Sequence, residues 1–221
     1  MPRDEVVLRF DAVSFGYEGA PPLLEEASFS VRTHGRITLM GQNGAGKSTL
    51  CKLISGEEKP VSGRIFRTPA DATIALARQA MPKTALGMTV REYFASALAD
   101  EKYNLDKLIK EVFEIVHIAL PLDKKINALS GGQQARLLLA HALIQEPDIL
   151  LLDEPTNNLD QQGIEHLTGF LMTYSKTCLV ISHDADFLNA FSDGVLYLDV
   201  FTHTVEQYTG DYYSVMLRKN Q

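Results

Sequence analysis

The segment Gly41-Gln42-Asn43-Gly44-Ala45-Gly46-Lys47-Ser48 constrains this chain more than any other, because it fits G-x-x-x-x-G-K-[ST]. A loop with that spacing turns its backbone N–H groups inward on phosphate oxygens. Its glycines allow the necessary dihedrals and keep side chains out of the way. The motif needs a strand before it and a helix after it, so that the helix points its positive end at the anion. Arg36–Met40 is a short apolar run leading into Gly41, and Gly46 to about Ser55 reads as a helix that stops near Gly56. In that setting Lys47 reaches the β- and γ-phosphates of a nucleotide and Ser48 ligates Mg²⁺, with Thr49 continuing the binding segment.

The remaining patterns predict an α/β fold around this loop. Val6–Phe10, Ala27–Val31, Gly63–Arg67 and Thr73–Ala77 read as strands bounded by Gly, Pro and charged residues. Leu105, Leu108, Ile109, Val112, Phe113 and Val116 recur at three- and four-residue steps and form one apolar helical stripe, which reads as core packing. Strand and helix then alternate through Ile149–Asp153, Gln161–Tyr174, Thr177–Ser182, Ala185–Phe191 and Val195–Leu198. Such alternation predicts a mainly parallel sheet with helices on its faces. The stretch from about 86 to 145 reads as a helical insertion into it.

Ile149-Leu150-Leu151-Leu152-Asp153-Glu154 is the second chemical feature. An apolar strand that ends in two carboxylates delivers them to the carboxyl edge of the sheet, where ligands of α/β folds bind. Asp153 there can hold a metal through water, and Glu154 can act as general base on an attacking water or orient it. Acidic residues also cap helices after strands, so the pair alone does not decide between these roles.

Composition narrows the class. At 221 residues and 45% hydrophobic, the chain can bury a sizeable core. Its net charge of −7 argues against a nucleic-acid-binding surface spread over the whole protein. The longest apolar runs, Ile149–Leu152 and Val195–Leu198, are too short to span a bilayer, and Met1–Glu5 lacks the apolar stretch of a secretory leader. Cys51 and Cys178 lie far apart in apolar surroundings and read as buried thiols. A cytoplasmic protein without direct membrane insertion is the expectation.

Leu129-Ser130-Gly131-Gly132-Gln133, just ahead of the Asp-Glu strand, resembles the signature of ATP-binding cassette (ABC) ATPases. The resemblance covers essentially the whole chain. It implies an ABC-type P-loop NTPase spanning 1–221: a mainly parallel core sheet, an antiparallel β subdomain and an inserted helical subdomain. It also implies ATP and Mg²⁺ as ligands, with Lys47, Glu154 and His183 as the catalytic group. In this reading Gln79 is the Q-loop glutamine, joining Ser48 and Asp153 at the metal, and Asn157–Asp160 is the D-loop. His183, in Ser182-His183-Asp184, is the switch histidine that contacts the γ-phosphate. Tyr17 matches the aromatic that stacks on adenine, with Phe15 a neighbour able to take that part. Ser130, Gly131, Gly132 and Gln133 would complete the site of a second cassette in trans, so the partner is a copy of the chain or another cassette of a longer polypeptide.

Asp153-Glu154-Pro155-Thr156-Asn157-Asn158-Leu159-Asp160 looks like the ABC-F version of its region, as do Gln133–Ala140 and the run Tyr208-Thr209-Gly210-Asp211-Tyr212-Tyr213. ABC-F proteins carry two cassettes joined by a helical linker and act at the ribosome. The resemblance therefore implies half of such a protein, the first half given Met1, with a linker beginning at about 216–221 and contacts to ribosome and tRNA through segments outside this chain. Two features depart from that pattern: the stretch from Gln79 to Leu129 leaves no room for a long inserted arm, and no linker is present. The alternative is the ATPase subunit of a membrane transporter. A chromosome-maintenance ATPase would need a long coiled coil between its half-sites, which the single apolar stripe of 105–116 cannot supply.

Overall fold

The computed structural model describes residues 5–42, 46–99 and 104–221. Alternating buried and exposed side chains make its first layer. In β1 (Val6–Phe15) Leu8, Phe10, Val13 and Phe15 point inward while Arg9 and Asp11 face solvent. β2 (Leu24–Arg32) alternates likewise and starts earlier than its apolar centre, Ala27–Val31, suggested. After β3 (Arg36–Gly41), β4 (Ser62–Arg67) returns to the far edge of β1, giving a three-stranded antiparallel sheet in the order β2-β1-β4.

β3 belongs to the second layer, with β5 (Ile74–Ala77), β6 (Ile149–Asp153), β7 (Thr177–Ile181), β8 (Gly194–Leu198) and β9 (Val205–Thr209). This six-stranded sheet has the order β5-β6-β7-β3-β8-β9, parallel throughout except for the final hairpin pair. The four inner residues of β6, Ile149 to Leu152, are all fully buried, as expected of a strand covered on both faces. β9 is absent from the sequence expectations. Only Val205 of its five residues is buried, so it lacks the apolar run by which the central strands announce themselves.

The helices are α1 (Lys47–Ser55), α2 (Val90–Ala95), α3 (Leu105–Val116), α4 (Gly131–Leu143), α5 (Gln161–Thr173), α6 (Ala185–Phe191) and α7 (Tyr212–Lys219). Five of them, all but α1 and α3, start at side-chain caps. Thr89 and Glu92 form a capping box at α2, and Asp160, Asp184 and Asp211 each accept a backbone N–H at the starts of α5, α6 and α7. Replacing such a cap with alanine costs about 0.5–2 kcal/mol. α1 lies between the sheets and buries Leu50, Cys51, Leu53 and Ile54; each aliphatic side chain so buried stabilises by roughly 1.5–3 kcal/mol. One core fills the space between the two sheets around α1, and another joins the opposite face of the parallel sheet to α2 through α6. Cys51 and Cys178 are buried, one in each core, and burial pushes both thiols well above their ordinary range.

The side-chain amide of Gln207 on β9 bridges to the other sheet, donating to the carbonyl of Ser30 (2.7 Å) and accepting its N–H (3.3 Å). Gly169, in the middle of α5, would find no atom within 4 Å of an added Cβ, so internal packing does not require a glycine there. A glycine inside a helix costs about 0.5–1 kcal/mol relative to alanine. Finally, His141 on α4 stacks on Tyr93 of α2 (ring centroids 4.2 Å apart), and its buried Nε2 has no hydrogen-bond partner.

Burial lowers the pKa of His141, partly opposed by its backbone bond to Tyr93. The folded state therefore resists a proton that the unfolded chain takes up near pH 6.5. Stability that is complete above that value falls as the pH drops below it. Denaturation midpoints at mildly alkaline and mildly acidic pH should differ less in His141→Phe than in the wild type. An equal acid loss in both would assign it to other groups.

Candidate functional site

The strand order brings four loops into a row. β5, β6, β7 and β3 are neighbours and run parallel, so Gln79, Asp153, His183 and the loop before α1 all emerge at one carboxyl edge. The loop enters α1 at Gly46, whose φ of 92° is a left-handed conformation that glycine takes without strain. A Cβ there would also press on Leu23 at 3.2 Å. Asn43, Gly44 and Ala45 lie outside the described residues. Gly41 ends β3, Gln42 follows it exposed, and Lys47 Nζ donates to the Gly41 carbonyl at 3.1 Å. The ammonium thus folds back over the mouth of the loop. The N–H groups of the first turn of α1, from Lys47 through Thr49, have no helical partner and face the same edge.

Asp153 is the hub of the polar cluster. Ser48 Oγ donates to its Oδ2 (3.3 Å) and Gln79 Nε2 donates to its Oδ1 (3.1 Å). Hydroxyl and carboxylate meet there as hard oxygen ligands beside the Gln79 amide, which carries a further oxygen, and oxygen donors suit Mg²⁺ once phosphate oxygens join them. Among the described residues there is no cluster of three or more His, Cys, Asp or Glu able to hold a metal.

Glu154 is 6% exposed, and its φ of 51° is unusual for a residue with a Cβ. Its N–H donates to the Ile181 carbonyl at 2.8 Å, which ties the bend to β7. The carboxylate meets His183 twice: Oε1 lies 3.2 Å from Nε2, and Oε2 accepts the His183 backbone N–H at 3.3 Å. Burial pushes the pKa of Glu154 up, with His183 and Lys47 pulling the other way. A carboxylate in that state is a stronger base than one in water.

Sequence reasoning gave no role to Thr156 and Ser182. Both are buried, their hydroxyls are 3.5 Å apart, and Ser182 Oγ accepts the N–H of Asp184 at 3.0 Å. They join the turn carrying Glu154 to the turn carrying His183. The signal available was that each sits two or fewer residues from a charged site residue.

Tyr17 and Phe15 separate cleanly. Phe15 is buried, whereas Tyr17 is 42% exposed, meets Phe15 edge-on at 5.1 Å and lies 3.5 Å by its hydroxyl from Thr49 Oγ1. Only Tyr17 has a ring face to offer a base. The signature segment stands apart. Ser130 caps α4, its Oγ accepting the Gln133 N–H (3.2 Å) while Gln133 Oε1 accepts the Ser130 N–H (3.0 Å). Ser130 and Gly131 are exposed, and a Cβ on Gly132 would come within 3.1 Å of the Asn158 carbonyl. Among the described residues no hydrogen bond or ion pair joins this turn to the Lys47–Asp153–His183 cluster of its own chain.

The sequence profile of the ABC transporter family matches residues 24–157. The chain is 35% identical over 203 residues to the ATP-binding protein Uup of Buchnera aphidicola, covering 90% of this chain and 33% of that protein. It is also 35% identical over 200 residues to ABC transporter F family member 4 of Dictyostelium discoideum, covering 87% of this chain and 17% of that one. It thus spans a third or less of the length of these two relatives. Its fold matches a dimeric ATP-binding cassette solved in a post-hydrolysis state with ADP and Pi at a TM-score of 0.80 and 22% identity, over 91% of this chain and 98% of that one.

Proposed function

The chain belongs to the ABC transporter family, as an ATP-binding cassette like those of ABC-F proteins, and from that premise we propose that it binds and hydrolyses MgATP as half of a two-cassette sandwich. The observation that carries this reading is the buried Glu154 carboxylate held against His183 beside the Ser48–Asp153–Gln79 cluster. The backbone of the loop and Lys47 grip the phosphates, and the exposed face of Tyr17 takes the adenine. Ser48, Asp153 and Gln79 would hold Mg²⁺, which neutralises phosphate charge when bound. Glu154 accepts a proton from the attacking water and directs it in line with the bond to be broken. His183, fixed by Glu154, reaches the γ-phosphate. The turn from Ser130 to Gln133, exposed at Ser130 and Gly131, serves the ATP of a second cassette, since among the described residues no hydrogen bond or ion pair joins it to its own cluster.

The wider role is that of an ABC-F-type factor acting in translation. The F-family relatives support it, as does the Asp153–Asp160 run. Among the described residues no helix is long and apolar enough to cross a membrane. Pelleting with purified ribosomes in ATP and in ADP tests the role. Association that depends on ATP is expected; co-purification with an integral membrane protein and no ribosome binding would favour a transporter subunit.

A further inference from the structure

An open cleft runs between α3 and α5, on a face the nucleotide reading does not use. It comprises two cavities of about 470 Å³ and about 520 Å³ that share Ile115, Phe170 and Thr173 and so form one trough. Leu108, Ile115 and Phe170 make an apolar floor, with Ile115 37% exposed and the other two partly buried. Gly169 deepens this floor: its missing side chain would project into open space, and nothing in the protein packs where it would be. A glycine that weakens its own helix without any internal contact in return is explained if something from outside must come close to the helix backbone.

The rim is acidic. Glu111, Glu114, Glu146 and Glu165 all line the trough and are all exposed. Glu111 is partly offset by Lys107 at 3.9 Å. Of the cations nearby, Lys176 pairs with Asp148 at 3.3 Å and Arg136 with Asp160 at 3.9 Å. An apolar floor with a carboxylate rim repels nucleic acid and anionic membrane alike. Both walls are helices whose backbones are bonded internally, so no strand edge is offered for an extended peptide to pair with. The length of α3, 12 residues, gives a trough of about 18 Å, or about three turns of a docked helix.

We propose that the α3–α5 cleft is the docking site for an amphipathic helix of a partner protein, its apolar face on Ile115, Gly169 and Phe170 and its basic flanks on Glu114, Glu146 and Glu165. The partner is a separate polypeptide, and docking does not require nucleotide.

The probe is a synthetic helical peptide of about twelve residues, the number that fits the trough, with leucines on one face and lysines on the flanks. Fluorescence anisotropy with the full chain should show saturable binding that weakens as salt is raised. A scrambled peptide of equal composition and a glutamate-flanked version should bind at least about tenfold more weakly, since each lacks one half of the complementarity. Gly169→Leu fills the floor without disturbing the helix and should weaken binding about tenfold or more. The double variant Glu114→Lys, Glu165→Lys should do the same while leaving the floor open. Unfolding midpoints of both variants at or near the wild-type value show that the fold is retained. Equal binding of the scrambled peptide, or binding unaffected by both variants, overturns the proposal. So does concentration-dependent self-association of the chain that Gly169→Leu abolishes, because the occupant is then a second copy.

Discussion

Glu154→Gln is expected to keep MgATP binding, lose turnover by at least about a hundredfold as a missing general base does, and accumulate as a closed pair of cassettes. The loss follows from the geometry. Among the described residues Glu154 is the one buried carboxylate at the carboxyl edge, and an amide there retains the contact with His183 but cannot take a proton. ATP that is bound and not consumed leaves its γ-phosphate bridging the loop of one cassette and the signature turn of the other. Adding Ser130→Arg should leave binding at the cassette's own loop intact, because among the described residues no hydrogen bond or ion pair links that turn to its own cluster. The arginine should nevertheless prevent closure by filling the place of the partner's phosphate. Light scattering with ATP at high protein concentration reads both outcomes. A single variant that stays monomeric points to a different second cassette as partner; no closure with that cassette either would sink the shared-site mechanism.

The raised pKa of Glu154 also makes stability depend on pH. A buried carboxyl whose folded pKa lies above its ordinary value favours folding while protonated and opposes it once ionised. Nucleotide-free Glu154→Gln should therefore be more stable than the wild type at neutral pH, with the difference shrinking as the pH falls through the folded pKa.

Lys47→Ala is the second large effect. A unit charge 4 Å from another interacts with about 4 kcal/mol at an effective dielectric of 20 and about 1 kcal/mol in water. Losing the lysine from a partly screened loop should cost at least about tenfold in ATP affinity. The fold should survive, because among the described residues the ammonium donates only to the Gly41 carbonyl. Thermal-shift titration with MgATP decides. A shift as large as that of the wild type would mean that the nucleotide is held elsewhere.

What was legible in the sequence was what chemistry restricts to few residue types. The loop from Gly41 to Ser48 and the carboxylates at the end of β6 could be placed on their elements, because phosphate and metal binding allow few substitutes. Central strands were legible too, since burial on both faces demands unbroken apolar runs such as Ile149–Leu152. β9 was not, being an edge strand built of Val205, Glu206, Gln207, Tyr208 and Thr209 with one buried residue. Sequence favoured Tyr17 over Phe15 only by resemblance, because their difference in exposure is set by the fold. The left-handed backbone of Glu154 was hidden for another reason: tertiary bonds to β7 and His183 impose it against local preference.

Gln207 has a consequence for how the molecule behaves in company. A strand with an unpaired edge is a template for another chain, and proteins that leave such an edge open invite pairing between molecules. The primary amide carries the same donor and acceptor as a peptide group, and on Ser30 it occupies both. β2 is thus given a surrogate neighbour one residue wide by β9, a strand of the other sheet. Gln207→Glu would replace the donor with a second acceptor aimed at the Ser30 carbonyl. The exposed edge of β2 would then become a site for aggregation while the nucleotide chemistry stayed whole.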